Sequence, residues 1–220
     1  MFKTIIYIAT LSLVSAQLPS GIQQVTVTPQ ADFCKQSGVG EAAGQQQQSG
    51  RMCASTVQGL LPDVNKMVSS MISQPASGAT VDAAQGFDIV FKTQNLQTGF
   101  VADLEKQYLL IPQTVDPNTG FIQGHAQVSI QKIPNAQEAV PASSVEFFQV
   151  LDTKPGANGL TTFKVNVPAG AIKTNGVHRI CTVSATASGQ QVLMPVAQRG
   201  AQDDCIRVTV NNATGQKRRR

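Results

Sequence analysis

Aromatic residues are scarce in this sequence. Its 220 residues include no tryptophan, nine phenylalanines and two tyrosines, Tyr7 and Tyr108. Proteins that bind polysaccharide on a flat surface usually stack the sugar rings on exposed aromatic side chains. Tyr and Trp suit this role because each has an apolar ring and a polar group that can face water. The shortage therefore argues against a platform that binds carbohydrate by stacking.

Histidine is equally scarce, since the chain contains only His125 and His178. Serine and cysteine nucleophiles need a base, usually histidine, and a third residue to orient it. The G-x-S-x-G motif of a nucleophile elbow is also missing. The two carboxylates of a glycosidase stand about 5 to 9.5 Å apart, whereas the adjacent Asp203 and Asp204 should point to opposite sides of an extended chain. We therefore predict no catalytic residues and no enzymatic activity.

Charged residues make up only 14% of the chain. The formal net charge is +4, from 17 basic and 13 acidic residues, but four of the basic ones form the terminal run 217–220. The rest of the chain is neutral. A nucleic-acid-binding domain carries a basic face in its folded part. We therefore expect no nucleic-acid partner, and we interpret residues 211–220 as a disordered basic tail.

Long apolar runs are absent apart from one at the N-terminus. Lys3 precedes the apolar run 5–14, and the tripeptide V-S-A stands before Gln17. This is the pattern of a secretory signal peptide, and the run is shorter than the about 20 residues of a membrane-spanning helix. We predict a signal peptide over residues 1–16, no membrane span, and a secreted protein that is extracellular or bound to the cell wall.

The four cysteines are Cys34, Cys53, Cys181 and Cys205. An even number in a secreted chain indicates two disulfides, and there is no C-x-x-C pair of the kind that holds a metal. Of the three connectivities that four cysteines allow, we favour Cys34–Cys53 and Cys181–Cys205 because each closes a short loop. We expect no cofactor and no metal.

The N-terminal part of the mature chain, residues 17–60, is rich in Gln, Gly and Ser. It includes the low-complexity stretch GEAAGQQQQSG at 40–50. Such a composition cannot bury enough apolar surface to order itself. We predict a disordered Gln-rich segment that carries the loop closed by Cys34 and Cys53.

Apolar and polar residues alternate with period two over most of the remaining chain, in short runs separated by turn signals. The clearest predicted strands are FDIVFKTQNL, HAQVSIQKI, SSVEFFQVL, LTTFKVNV, VHRICTVSAT, QVLMPVAQ and CIRVTV. The one helix candidate is LLPDVNKMVSSMI at 60–72, which Pro62 weakens. We predict an all-β fold over residues 61–210, a single immunoglobulin-like or fibronectin-like β-sandwich.

Three stretches carry a resemblance to known proteins: CASTVQGLLPDVNKM, GFIQGHAQVSIQ and HRICTVSATASGQQVLMPVAQRGAQDDCIRVTV. They resemble an uncharacterised family of small secreted fungal proteins, most specifically in the C-terminal pattern MPVAQRGAQDDCIR. The resemblance implies a fungal, extracellular and host-facing protein with a β-rich body. It implies no reaction and assigns no catalytic residue.

The stretch PVAQRGAQDDC, residues 195–205, is the densest polar segment in the chain. It could be an active site, a metal site or a structural loop. We favour a loop in which Arg199 pairs with Asp203 or Asp204 and the following cysteine is bridged to Cys181. If the segment is functional, the candidate residues are Arg199, Asp203 and Asp204, together with His125 and His178.

Two further motifs could bind metal. Imidazole is a good ligand for copper and zinc, so a metal site that uses both His125 and His178 stays open beside the preferred interpretation, a hydrogen-bonded histidine in a strand. The segment DPNTG at 116–120 begins like a calcium loop but lacks the later ligands of that motif. We interpret it as a β-turn.

The segment NAT at 212–214 fits the pattern for N-glycosylation, with Asn212 as the acceptor. Taken together, these observations predict a secreted, non-catalytic β-sandwich protein, either a fungal effector or an extracellular structural protein, that acts through a host or cell-wall component. The alternative is an extracellular binding module or inhibitor for wall polysaccharide or a protein ligand.

Overall fold

The computed structural model describes residues 33–36, 38, 40, 53, 57–154 and 156–212. The chain divides into two compact units, residues 1–33 and 34–220, and the second contains all of the strands described. The predicted signal peptide, nearly all of the Gln-rich stretch 40–50 and the terminal basic run lie outside the described residues. None of the described helices is long and apolar enough to cross a membrane.

Strands dominate the described part of the chain. A four-residue helix, α1, covers Phe33–Gln36, and single 3-10 turns cover Val64–Lys66 and Ala157–Gly159. The ten strands are β1 Ser69–Gln74, β2 Thr80–Asp82, β3 Phe87–Gln94, β4 Leu96–Gln97, β5 Thr114–Val115, β6 Ile122–Lys132, β7 Phe147–Leu151, β8 Leu160–Val167, β9 Gly176–Thr186 and β10 Cys205–Asn211.

The strands form two sheets. The smaller has the order β1-β3-β8, and the larger has the order β2-β10-β9-β6-β4, with β5 and β7 also pairing with β6. β2 runs parallel to β10, whereas the β10–β9, β9–β6 and β6–β7 pairs are antiparallel. The prediction of an all-β sandwich of the immunoglobulin-like or fibronectin-like type is confirmed.

The period-two pattern sets which side chains enter the core. Along β8, Phe163, Val165 and Val167 are buried while the residues between them are exposed. The Phe163 ring stacks on Phe91 of β3 with centroids 4.7 Å apart, and burying one such ring stabilises the fold by about 1.5–3 kcal/mol. In β10, Ile206 and the alternate residues after it point inward, as their spacing predicts.

Two predicted elements differ from the structure. The helix candidate 60–72 forms a single 3-10 turn and then enters β1 at Ser69; the Asp63 side chain caps the turn by accepting from the Asn65 N–H at 3.0 Å. The predicted strand QVLMPVAQ is also wrong, because Gln191 forms one isolated bridge to Ala185 and the chain then leaves the sheet. Its alternation arises instead because Val192 packs into a second, smaller core cluster.

Both disulfides that the sequence favours are present, Cys34–Cys53 and Cys181–Cys205. Cys181 and Cys205 lie directly opposite each other in β9 and β10. The neighbouring Thr182 N–H donates to the Asp204 carbonyl at 2.9 Å, so the two cysteines form a non-hydrogen-bonded pair, in which side chains approach most closely. The bridge fixes the point at which the loop before β10 re-enters the sheet.

Candidate functional site

The segment that joins β9 to β10, residues 187–204, forms one wall of an open groove of about 830 Å³. We call it the β9–β10 groove. Its opposite wall includes Gln58 and Leu61. From the 187–204 segment, the lining includes Gln191, Met194, Arg199 and Asp203. The described lining of the groove therefore combines amide groups, aliphatic side chains and one charge of each sign.

Asp203 anchors the 187–204 segment to β9. Its carboxylate accepts from the backbone N–H of Ser184 at 2.7 Å, from the Ser184 hydroxyl at 2.9 Å and from the Gln191 amide at 3.3 Å. Burial raises the pKa of the Asp203 carboxyl, and the hydrogen bonds from Ser184 and Gln191 oppose that rise only in part. Both carboxylate oxygens are thus occupied by hydrogen bonds that hold the loop against β9.

A short chain of buried hydroxyls continues from this anchor into the sandwich. The Ser184 hydroxyl lies 3.4 Å from that of Ser70 in β1, which lies 2.8 Å from that of Thr93 in β3. Ser184 and Thr93 are both fully buried. A buried hydroxyl that is hydrogen-bonded on both sides serves packing and specificity between the sheets, and Ser184 is not accessible as a nucleophile.

Asp204 holds the other sheet. Its carboxylate accepts from the Ile72 N–H at 2.8 Å, and the preceding Gln202 carbonyl accepts from the Ser70 N–H at 2.9 Å. These two groups occupy the outer edge of β1, where an unpaired strand would otherwise expose a row of donors. Asp203 and Asp204 therefore bind different sheets, on opposite sides of the chain.

Arg199 is placed differently from the predicted ion pair. Its side chain is exposed and donates to the Val196 carbonyl at 3.0 Å and to the Gln202 side chain at 3.5 Å. Among the described residues, no ion pair joins Arg199 to Asp203 or Asp204. The prediction was wrong because both carboxylates turn toward backbone donors of the sheets, which leaves the guanidinium facing the groove.

Gln113 is a structural residue of the groove that the sequence pattern did not reveal. Its buried amide donates to the Leu60 carbonyl at 2.7 Å and to the Leu193 carbonyl at 3.1 Å, and its oxygen accepts from the Leu193 N–H at 2.8 Å. One side chain thus joins the two walls. A glutamine between strands carries no periodic signal, and its partners lie 53 and 80 residues away.

His125 lies in β6 and is fully buried. Its Nδ1 is 3.3 Å from the Phe100 carbonyl and its Nε2 is 3.0 Å from the Gln127 amide nitrogen. Burial lowers the pKa of His125, which disfavours the charged ring. Both ring nitrogens have protein partners. This agrees with the interpretation of His125 as a hydrogen-bonded histidine in a strand.

His178 lies in β9, and the register places it opposite Lys132 whereas His125 is opposite Ala185. Seven residues along a ladder correspond to about 23 Å, so the structure does not bring the two histidines together. Neither lines the groove with Arg199 and Asp203. Across the described ranges, no group of three or more His, Cys, Asp or Glu side chains is arranged to hold a metal ion.

His178 instead belongs to a buried polar cluster. Its Nε2 is 3.1 Å from the Thr174 hydroxyl and 3.5 Å from a Glu146 carboxylate oxygen. The Glu146 carboxylate also accepts from the Thr174 hydroxyl at 2.5 Å and from the Lys173 N–H at 3.2 Å. Burial works against the charge of Glu146, but these bonds and the nearby His178 together leave the pKa of Glu146 lowered.

The substitution Glu146→Gln is expected to lower the free energy of unfolding at neutral pH by about 1 kcal/mol. A lowered pKa gives stability that is present above the carboxyl group's ordinary value and is lost as the pH falls through the folded value. The difference between wild type and variant should therefore vanish in acid. Urea denaturation at several pH values checks this, with the exposed Glu105→Gln as control. A difference that does not change with pH would contradict it.

The DPNTG segment is a turn. The Asp116 carboxylate accepts from the N–H groups of Asn118 and Thr119 at 2.9 and 2.8 Å, and the Gly120 N–H donates to the Asp116 carbonyl at 2.9 Å. Gly120 has a φ of +74°, which a residue with a side chain rarely adopts. The hydrogen bond from the Thr119 backbone is the main reason that the pKa of Asp116 is lowered.

Asn212, the predicted glycosylation site, follows β10 directly. Its amide nitrogen donates to the carbonyls of Ile172 and Lys173 at 3.1 and 3.3 Å, and its own N–H donates to the Asn175 side chain at 2.6 Å. A glycan on this nitrogen would have to replace the bonds to residues 172 and 173. Glycosylation of Asn212 stays a prediction.

The fold and the groove define a class: an immunoglobulin-like β-sandwich domain with an open groove beside its β9–β10 connection. Residues 70–211 match the family described as the CLU5d N-terminal domain, and the chain belongs to that family. A curated relative, Pathogenicity cluster 5 protein d of the fungus Colletotrichum graminicola, is 34% identical over 198 residues. That similarity covers 89% of this chain, which spans about 40% of the length of the relative.

The solved structures to which this chain is similar share little sequence with it. A β-glucosidase of Listeria innocua in complex with isofagomine has a TM-score of 0.33 at 13% identity, covering 65% of this chain and 16% of that one. The fibronectin(III)-like modules of Clostridium thermocellum CbhA have a TM-score of 0.25 at 12% identity, covering 65% and 46%. At these scores, the similarities carry no argument about function.

Proposed function

We propose that this chain is a secreted, non-catalytic, effector-like fungal protein that binds an extended segment of a protein partner in the β9–β10 groove. The observation that supports it is a division of roles. Gln113, Asp203 and Asp204 hold the walls by partly buried hydrogen bonds, whereas Leu61 and Arg199 remain exposed along the groove. A surface that is held in place before binding loses less entropy when a ligand arrives.

The lining favours binding over catalysis. Asp203 is the one carboxylate among the described lining residues, and its oxygens are occupied by Ser184 and Gln191. The described lining contains neither histidine nor cysteine. A general base needs a free acceptor within hydrogen-bond reach of its substrate, and no side chain of the lining fits that role.

The same lining favours peptide over polysaccharide. It includes aliphatic side chains such as Leu61 and Met194 but, in the described residues, no aromatic ring for a sugar to stack on. Leu61 belongs to an exposed apolar row with Val57, Leu60 and Val64, whose exposed fractions are 71% for Val57 and 59% for Leu60. Met adapts to varied apolar partners. A glutamine amide can both donate a hydrogen bond to a peptide carbonyl and accept one from a peptide N–H.

The extracellular and effector-like part of the proposal draws on other observations. Two disulfides in one small domain are typical of proteins that fold in an oxidising compartment. The name of the fungal relative places that protein in a pathogenicity cluster, and we extend an effector-like role to this chain. The stretch 194–207, which we expect to mark the family, supplies part of the groove wall.

A phage-displayed library of random peptides, selected on the disulfide-bonded domain, tests the proposal. We expect peptides with apolar residues to be enriched and their affinity to fall by about ten-fold or more in Leu61→Asp and Met194→Ala. The exposed Phe148→Asp, outside the groove, is the control. The proposal fails if no peptide is enriched, or if the selected peptides bind Leu61→Asp as well as wild type. If the domain pellets with chitin or glucan and the same variants do not, the ligand of the groove is a polysaccharide and not a peptide.

A further inference from the structure

Two arginines face each other on the outer surface of the larger sheet. Arg179 of β9 is directly opposite Arg207 of β10, two residues from the disulfide pair Cys181–Cys205. Pair types alternate along an antiparallel ladder, so the arginines, like the cysteines, form a non-hydrogen-bonded pair. The Cβ atoms of such a pair lie about 4.5–5.5 Å apart. The two guanidinium groups are therefore confined to one small region.

This pairing works against stability. Like charges directly opposite each other in a sheet are destabilising. In the part of the chain that the structure describes, no acidic side chain forms an ion pair with Arg179 or Arg207. The ion pairs found there are Lys106–Asp103, Lys164–Asp88 and His178–Glu146. A local conflict without internal compensation is typical of a functional surface.

The arginine of β9 is held in a fixed direction. The Arg179 Nε donates to the Gln131 side-chain oxygen at 2.8 Å. Gln131 is itself buried and donates to the carbonyls of Pro141 and Ser144 at 3.1 and 3.0 Å. These bonds also tie the 133–145 segment down beside the pair. The terminal nitrogens of Arg179 have no acceptor among the described residues and remain available for a ligand.

A pocket of about 300 Å³ lies between this segment and the strands. Arg179, Arg207 and Cys205 line its floor, and Ile133 and Val140 line its wall. Glu138 also lines the pocket, but its carboxylate accepts from the Asn135 amide at 3.1 Å and forms no ion pair with either arginine. The pocket thus combines two cations that form no ion pair and one carboxylate with an apolar side.

We propose that Arg179 and Arg207 form a binding site for a tetrahedral oxyanion, a phosphate or sulfate group. A guanidinium presents two parallel N–H donors to such a group. A tetrahedral oxyanion has enough oxygens to accept from two guanidinium groups at once, whereas a carboxylate has only two. Its negative charge relieves the repulsion between the arginines. The group is either a free ion or an ester on a larger molecule, and the site is separate from the β9–β10 groove.

Thermal denaturation in low salt tests the site, with inorganic phosphate, inorganic sulfate and heparin as ligands and sodium chloride at matched ionic strength as reference. We expect a saturable rise in Tm for wild type. The apparent affinity for the anion should be about ten-fold weaker in Arg207→Lys, which keeps the positive charge but loses the paired N–H donors of the guanidinium. It should be weaker still in Arg207→Gln, which loses both. Lys92→Gln removes an exposed positive charge on β3, away from both the groove and the arginine pair, and should titrate like wild type.

Without added anion, Arg207→Gln should melt at or above the wild-type temperature, because the substitution removes the repulsion from Arg179. A response to heparin at far lower concentration than to inorganic sulfate would indicate an ester on a polymer, and comparable responses would indicate the free ion. The proposal is overturned if phosphate and sulfate act no differently from chloride, or if Lys92→Gln loses as much as Arg207→Gln. Neither result bears on peptide binding in the groove.

Discussion

Replacing Asp203 with alanine is expected to lower the free energy of unfolding at neutral pH by about 3 kcal/mol. The substitution leaves the N–H and the hydroxyl of the fully buried Ser184 without their acceptor. A buried donor without a partner costs about 1–3 kcal/mol, and bonds to a charged group are at the upper end. The loop that carries Gln191 also loses its tie to β9. Urea denaturation measures the change, and a loss below about 1 kcal/mol would contradict the anchoring role.

The substitution Asp203→Asn separates the charge of this residue from its hydrogen bonds. An amide oxygen can still accept from both Ser184 donors, so the loss should be smaller than for alanine. Because burial raises the pKa of Asp203, the carboxyl contributes most below its unfolded value, and this contribution is lost as the pH rises through the folded value. Wild type should therefore gain stability relative to Asp203→Asn as the pH is lowered. If wild type instead loses stability relative to Asp203→Asn as the pH is lowered, the folded protein stabilises the charged form of Asp203, and this account of its pKa is contradicted.

The substitution Gln113→Ala is expected to cost a similar amount, about 3 kcal/mol, and to loosen the groove. It removes the three hydrogen bonds of a buried side chain, two to Leu193 and one to Leu60, each worth about 1 kcal/mol. Hydrogen exchange should show faster exchange of the Leu193 N–H, which donates to the Gln113 side chain. Backbone exchange in β6 should stay slow up to global unfolding.

Two variants sharpen this prediction. Gln113→Met keeps most of the side-chain volume but none of the hydrogen bonds, so it should cost nearly as much as alanine if the bonds dominate. The exposed Gln149→Ala in β7 is the matched control and should change stability little. If Gln113→Met is as stable as wild type, the residue acts by filling space and does not join the groove walls.

Strands such as β8 and β10 were predictable because each has one buried and one exposed face. Burial of alternate residues in β8 and β10 follows directly from their sequence pattern. The same rule failed at 191–198, since Val192 is buried in the smaller core cluster with Val68 and Leu96 without being part of a strand. Period two reports burial of alternate residues, and a loop that covers a core end can produce it too.

The candidate site was harder to predict than the fold. The polar stretch before β10 was recognised by its composition, and the interpretation of Asp203 and Asp204 as residues on opposite sides of the chain agrees with their bonds to Ser184 and Ile72. The partners themselves come from other strands, so no local pattern indicates them. The predicted pair of Arg199 with a nearby aspartate failed for the same reason: proximity in sequence competes with backbone donors that only the fold supplies.

The central claim, that the β9–β10 groove binds an extended peptide, is tested most directly by an NMR titration of the ¹⁵N-labelled domain with the tightest peptide from the library. We predict chemical-shift changes at the backbone amides of Gln190 to Gln202 and of Gln58 to Leu61. Amides of β8, which does not line the groove, should stay unchanged. Shift changes centred on β7 and β8, or on the Arg179–Arg207 surface, with the groove amides unmoved, would contradict the claim.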